Sequence, residues 1–318
     1  PRHETLVHGV LAAGRPAAIL ESDWGVSADR VHALIGGTAA DPAGRILHSL
    51  LSGPIDVDKM DYLARDSLHA GVPYGRHFDQ ERLLSSLCLD AAGTGLAIDE
   101  KGRTAAELMV FARYVMFSEV YWHHAVRAAT AMLQRAVWTV RDRIDLRSLV
   151  RSDDRSFADW LLAAAAGTPA AELADGLFGP CRRLFKRVAT FDALHQPDIH
   201  RACAGRRYAD AVAVADRLAA GLARRIGRPI DPAHLLVDAP PAEREVEFRL
   251  QVRERPTRGE AAPGWRRLED LSPVVRSLAR EQFDDLVKRV RIFAHPDIAQ
   301  AVRRCADLES LVLEAARG

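Results

Sequence analysis

The 318-residue chain has no Cys-x-x-Cys pair, and its four cysteines, Cys88, Cys181, Cys203 and Cys305, are far apart. That spacing excludes a zinc ribbon and offers no disulfide framework, so reduced thiols in a cytoplasmic protein are expected. No apolar run is long enough to span a membrane, and no partnership with one is expected. Charge of one sign is also missing: 44 basic side chains face 43 acidic ones, a formal net charge of +1. A global field that would draw nucleic acid is thereby excluded, although a local basic pocket, and hence a nucleic-acid substrate, stays open. The Gly-x4-Gly-Lys-Ser/Thr pattern is absent, which argues against P-loop chemistry. Aromatics make up only 6% of residues, while alanine and arginine, both good helix formers, abound.

What is present is helical periodicity. Residues 1–22 read as one helix, and Ser27 is placed to cap another at Ala28–Ile35. A short helix is predicted at Arg45–Leu51, broken at Gly53-Pro54, and a further one from Ile55 to Ala70. The residues up to Leu96–Ile98 suit a small hairpin. A long helix is predicted from Ala105 to about Ile144, with others at Ser156–Ala166, Pro180–Val188 and Arg206–Ile226. The texture changes at Asp231-Pro232. Leu235–Asp238, Glu245–Val252 and Val290–His295 read as strands, with helices starting at Ser272-Pro273 and Pro296. The sum is a mainly α protein, a helical body with a small C-terminal α/β appendage.

Two stretches carry candidate chemistry. At about 100° per residue, Ile55–Asp66 puts Val57, Met60, Leu63 and Ala64 on one side of a helix. Asp58, Asp61, Tyr62, Arg65 and Asp66 fall on the other, with Lys59 at the edge. A solvated amphipathic face would look the same. So would a site in which a carboxylate holds a cation, a lysine holds phosphate, and a phenol and an acid hold a sugar. Pattern alone leaves both open. In the second stretch Arg113, Phe117, Tyr121, His124 and Arg127 share one helical face, which equally suits aromatic packing with arginines at the rim.

The run Ser52-Gly53-Pro54-Ile55-Asp56-Val57-Asp58-Lys59-Met60-Asp61-Tyr62-Leu63-Ala64-Arg65-Asp66, followed by Gly71-Val72, resembles the signature of HD-superfamily metal-dependent phosphohydrolases. It is most similar to the dNTP triphosphohydrolase branch, which includes the metazoan enzyme with a sterile-alpha-motif and an HD domain. The resemblance implies a phosphodiesterase-like HD fold in which Asp58 is the last ligand of a divalent metal, Mg, Mn, Fe or Zn. It implies that Lys59 contacts phosphate and that Tyr62 and Asp66 face the deoxyribose. Arg113, Tyr121 and His123 match the family's Arg-x7-Tyr-x-His motif, making Arg113 a phosphate contact and Tyr121 a sugar contact. The family usually has Lys or Arg after that histidine, where this chain has His124.

Pro1–Val10 resembles the family's His-Glu segment, which implies catalytic roles for His3 near the scissile phosphate and for Glu4 in its support. The basic segment Cys181–Val188 resembles an effector-site run, so Arg182 and Lys186 are candidates for contact with a regulatory nucleotide. Ser272–His295 resembles the tail of bacterial relatives. The implied organisation is the larger C-terminal part of an HD domain at 1–150, a helical extension at 151–230 and a small α/β region at 231–318. The implied activity is hydrolysis of deoxynucleoside triphosphates to deoxynucleoside and triphosphate, in a homo-oligomer. Another phosphoester substrate, such as a nucleic-acid end or a signalling nucleotide, and an inactive nucleotide-binding scaffold are the alternatives. The His-Asp dipeptide that names the superfamily does not occur. The resemblance therefore implies further metal ligands upstream of Pro1 and an inactive 1–318 fragment.

Overall fold

The computed structural model describes residues 3–241, 250–256, 263–278 and 285–318, with side chains from Leu6 onward. Packing divides the chain into two units, Pro1–Phe117 with Val246–Arg280 and Ser118–Glu245 with Glu281–Gly318. Both are dominated by helices and each holds one small sheet, so the fold is mainly α with minor strand elements, as the residue pattern predicts.

In the first unit the expected helix over 1–22 is instead two, His3–Leu11 and Gly14–Ser22. The chain turns at Ala12-Ala13, and Gly14 takes a φ of +60°, which an L side chain rarely adopts. Ala28–Ile35 forms as predicted, with Ser27 Oγ accepting from Arg30 N–H at 3.3 Å. Pro42–Ser52 and Val57–His69 follow, then Gln80–Ser85 and Arg103–Met116. The hairpin is β1 (Leu87–Leu89) and β2 (Leu96–Asp99), antiparallel in register Leu87 to Ile98. It extends into a four-stranded sheet in the order β1-β2-β5-β6, where β5 is Gln251–Arg253 and β6 is Trp265–Arg267. β2 and β5 run parallel, and β5 and β6 antiparallel. Most of the predicted strand Glu245–Val252, including Val246 and Phe248, lies outside the described residues. Of the helix predicted from Ser272-Pro273, Pro273–Ser277 is described.

The predicted continuous helix from Ala105 to Ile144 does not form. Arg103–Met116 gives way to a π-helical turn at Phe117–Tyr121, and His124–Thr139 then starts anew. A π turn adds a residue to the hydrogen-bonded ring and breaks the ordinary ladder. His123 caps the new helix, its Nδ1 accepting from Ala125 N–H at 3.3 Å. Trp122 beside it is buried. The stripe from Arg113 to Arg127 is therefore not one helix face.

The second unit is built around an antiparallel sheet in the order β3-β7-β4, with β3 at Lys186–Phe191, β4 at Leu235–Asp238 and β7 at Val290–Ala294. All five residues of the central strand β7 are buried. Alternation along the strands serves two separate cores. Leu235, Val237, Val290, Ile292 and Ala294 join Val214, Leu218 and Leu222 of the Tyr208–Ile226 helix and Ile298, Val302 and Val312 near the C-terminus. Leu236 and Phe293 join Ala128, Met132, Leu161, Leu173 and Phe185. The helix predicted at Pro180–Val188 is overturned: residues 181–185 are irregular and Lys186 begins β3. Pairing with β7 satisfies this backbone, and that tertiary ladder outweighs the helix propensity of Arg182, Leu184 and Lys186. After Pro296–Arg303 the chain adds one more helix, Leu308–Arg317. Among the described residues, no helix is long and apolar enough to cross a membrane.

Candidate functional site

The Val57–His69 helix begins at Asp56, whose buried carboxylate accepts from Lys59 N–H at 2.8 Å. The same carboxylate takes a hydrogen bond from Lys59 Nζ, which also donates to Gly53 O at 3.0 Å. Asp56 is thus both helix cap and anchor for the lysine side chain. An ammonium has three N–H donors, and these two bonds fix its position while using two of them. At its other end the helix is held by Ser67, whose buried hydroxyl donates to Val72 O and accepts from Gly75 N–H. The turn packs so closely that a Cβ on Gly75 would collide with the Leu63 carbonyl oxygen. Buried Met60, Leu63 and Ser67 form the inner face. Val57, expected there, is exposed.

On the outer face Asp58 is exposed in the first helical turn, and Tyr62 and Asp66 are half-buried. Arg65 lies 3.4 Å from Asp61 and 3.6 Å from Asp66. Arg113 of the Arg103–Met116 helix reaches this face and shares a hydrogen bond with the Tyr62 side chain. Its guanidinium also lies 5.5 Å from the Phe117 ring centre. Burial raises the Tyr62 phenol above its ordinary pKa, the carboxylates of Asp56 and Asp58 add to the rise, and Arg113 opposes it. Tyr62 is therefore a neutral phenol at physiological pH. Two motifs about fifty residues apart in sequence thus meet: Lys59, Tyr62 and Asp66 on one helix and Arg113 on another. A fixed ammonium, a guanidinium fork, a phenol and a carboxylate suit a phosphate chain joined to a sugar.

The other candidates fall elsewhere. His3 and Glu4 are in the first turn of their helix, but their side chains lie outside the described residues. Tyr121 ends the π turn and belongs to the second unit. Arg182 and Lys186 are exposed, on irregular chain and at the start of β3. Among the described residues, the His, Cys, Asp and Glu groups close enough to share an ion comprise Glu172, His234 and His295, without Asp58. One carboxylate is not a metal-binding set.

Residues 78–317 match the family described as HD associated region. The chain belongs to this family. The segment Ile55–Asp66 precedes the matched residues. The uncharacterized protein MJ1154 of Methanocaldococcus jannaschii is 38% identical over 116 residues, 35% of this chain. The match covers 26% of the archaeal protein, so the chain spans about a quarter of that relative. A hypothetical protein from Aquifex aeolicus has a similar structure, with a TM-score of 0.64 over 95% of this chain and 71% of its own, at 22% identity. A structure named as a phosphohydrolase, from Bacteroides thetaiotaomicron, superposes with a TM-score of 0.57 over 87% of this chain and 69% of its own, at 16% identity. At those identities the structures establish the fold.

Sequence reasoning missed two polar clusters of this HD-associated chain, both in its second unit. In one, Asp238 is 2% exposed and takes a forked pair of bonds from Arg127, with Nε at 3.0 Å. Arg291 Nη1 approaches the same carboxylate at 3.9 Å and its Nη2 donates to Trp122 O at 2.9 Å. The Trp122 ring centre lies 4.6 Å from the Arg127 guanidinium carbon. Burial lowers the Arg291 pKa to about 10, partly offset by Asp238. The other cluster is Glu172, His234 and His295. No local spacing could have revealed either, because strand register assembles both.

Proposed function

We propose that this HD-associated chain is the substrate-holding part of an HD-type phosphohydrolase that converts deoxynucleoside triphosphates to deoxynucleoside and triphosphate. The observation that carries this reading is the Tyr62–Arg113 hydrogen bond, which joins both resembled motifs into one face. On that face Arg113 and Lys59 neutralise the phosphate chain, and Tyr62 and Asp66 receive the sugar hydroxyls. Asp56 holds Lys59 in place and touches no substrate. HD-type hydrolysis relies on a divalent metal as Lewis acid, and Asp58 would supply one of its ligands.

The test is release of triphosphate by the full-length protein, supplied with Mg, Mn, Fe or Zn ions, from a panel of deoxynucleoside triphosphates, ribonucleoside triphosphates and single strands. Turnover of at least one deoxynucleoside triphosphate is expected, and Arg113→Ala should lower kcat/KM about 100-fold. Residues 1–318 alone should release none. Turnover of strands or ribonucleotides only would replace the substrate assignment, and no turnover of any substrate would favour a nucleotide-binding scaffold.

A further inference from the structure

We propose that Glu172, His234 and His295 form a binding site for a zinc-class divalent ion. The site lies wholly within the second unit and does not rest on the phosphohydrolase reading. Strand pairing builds it. β4 and β7 are antiparallel with Leu235 opposite Ala294, so His234, just before β4, faces His295, just after β7. A backbone bond from His295 N–H to His234 O, 2.8 Å, fixes the pair. The two imidazoles stack with ring centres 4.4 Å apart and planes within 19°. Phe185 packs edge-on against both and forms an apolar wall. Glu172, in the first turn of the Ala171–Phe178 helix, closes the group: its Oε2 lies 2.8 Å from His234 Nε2 and 3.8 Å from His295 Nε2.

The second observation is the state of His295. The residue is 2% exposed, yet its Nε2 is buried without a hydrogen-bond partner while aimed at Glu172. A buried polar atom left in that state destabilises the fold, and a ligand would offset that. The opposite ring edge is already supported. Nδ1 accepts from Asp297 N–H at 3.3 Å, capping the Pro296–Arg303 helix, and lies 3.5 Å from Asp297 Oδ2. For Nε2 to ligate, the ring proton must sit on Nδ1, which then trades the bond from Asp297 N–H for one donated to that carboxylate. That tautomer would have the carboxylate–histidine arrangement that orients metal-bound imidazoles.

The donor set and spacing fit zinc-class ions. Two imidazoles and one carboxylate suit Zn²⁺ and its neighbours, and three protein ligands leave a coordination position for water or a ligand. Donors at about 2.0–2.1 Å from a tetrahedral ion stand roughly 3.3 Å from each other. The two separations from Glu172 Oε2, 2.8 and 3.8 Å, bracket that value, and all three donor atoms lie within 4.8 Å of one another. Small side-chain rotations, freest at the exposed Glu172, would bring the three donors to that spacing.

The experiment is a Co²⁺ titration of the chelator-treated 1–318 chain, read by visible absorption and by competition with Zn²⁺. One equivalent should bind and give a Co²⁺ band that Zn²⁺ abolishes. Glu172→Gln and His234→Ala, each shown folded by circular dichroism, should weaken binding at least tenfold, while Asp58→Asn keeps the band. An unchanged isotherm in both cluster variants, or loss of the band in Asp58→Asn alone, would overturn the assignment. So would no binding at all, which would make the cluster an ordinary histidine–glutamate ion pair. His295→Ala is not used, because that residue also caps a helix.

Discussion

The two units place their charge in different surroundings. On the first unit's Val57–His69 helix, charged groups line an accessible face: Asp58 is exposed, and Arg65 and Asp61 form a solvent-facing pair. In the second unit the main ionic cluster is interior, with Asp238 at 2% exposure between Arg127 and Arg291. Water screens the first arrangement and leaves its groups able to exchange solvent for ligand. The second is settled within the protein and is expected to matter for the fold more than for substrate. Accessible charge that is only partly satisfied is what a ligand can use. Buried charge paired within the protein holds segments together.

Substitution of one carboxylate in each setting would break this comparison if it is wrong. Asp238→Ala leaves the buried Arg291 and the part-buried Arg127 without their carboxylate and should cost about 3–5 kcal/mol, measured as the shift in urea unfolding free energy. Asp238→Asn keeps the shape and serves where the alanine variant fails to fold. Asp61→Ala removes an exposed pair four residues apart on a helix and should cost no more than about 0.5 kcal/mol. Equal costs would mean that burial does not separate the two clusters. Of intermediate size is Gly75→Ala. Its new methyl group would meet the Leu63 carbonyl and push the turn away from the helix carrying Lys59 and Tyr62. A loss of about 1–3 kcal/mol is expected from such overpacking, again by urea unfolding.

How far the residues announced all this depends on the range of the interactions. Ser27 as a cap, the break at Gly53-Pro54, the β1–β2 hairpin and the polar face of Ile55–Asp66 follow from neighbours a few residues apart, and they were legible. So were strands β4 and β7, through their apolar, β-branched composition. The π turn at Phe117–Tyr121 was not, because helical residues run straight through it and no Gly or Pro marks the change. β3 was hidden because Cys181–Val188 has helical spacing and becomes strand only beside β7. Asp56 could have been found: an acidic residue three positions before Lys59 at the start of a helix is a cap signal. The second unit's Asp238 and histidine clusters depend on which strand residues lie opposite each other, and one sequence does not state that register.

The smallest expected effect compares one tyrosine from each unit. Burial raises the pKa of both Tyr62 and Tyr208, but Arg113 bonds to Tyr62 and opposes the rise, whereas Tyr208 is carried further. In a titration of tyrosinate absorbance, Tyr62 and Tyr208 should therefore separate, with Tyr208 ionising after Tyr62. Tyr62→Phe and Tyr208→Phe assign the two steps, and Arg113→Ala should move the Tyr62 step upward. Stability follows with a definite sign. A folded phenol whose pKa lies above its unfolded value of about 10 keeps its proton while the unfolded chain loses it. The contribution is fully present below about pH 10 and is lost as pH rises through the folded pKa. Unfolding free energy should thus fall with alkaline pH, and Tyr208→Phe should flatten that slope more than Tyr62→Phe. The reverse order would mean that Arg113 does not reach the Tyr62 phenol, and the face on which the substrate assignment rests would come apart.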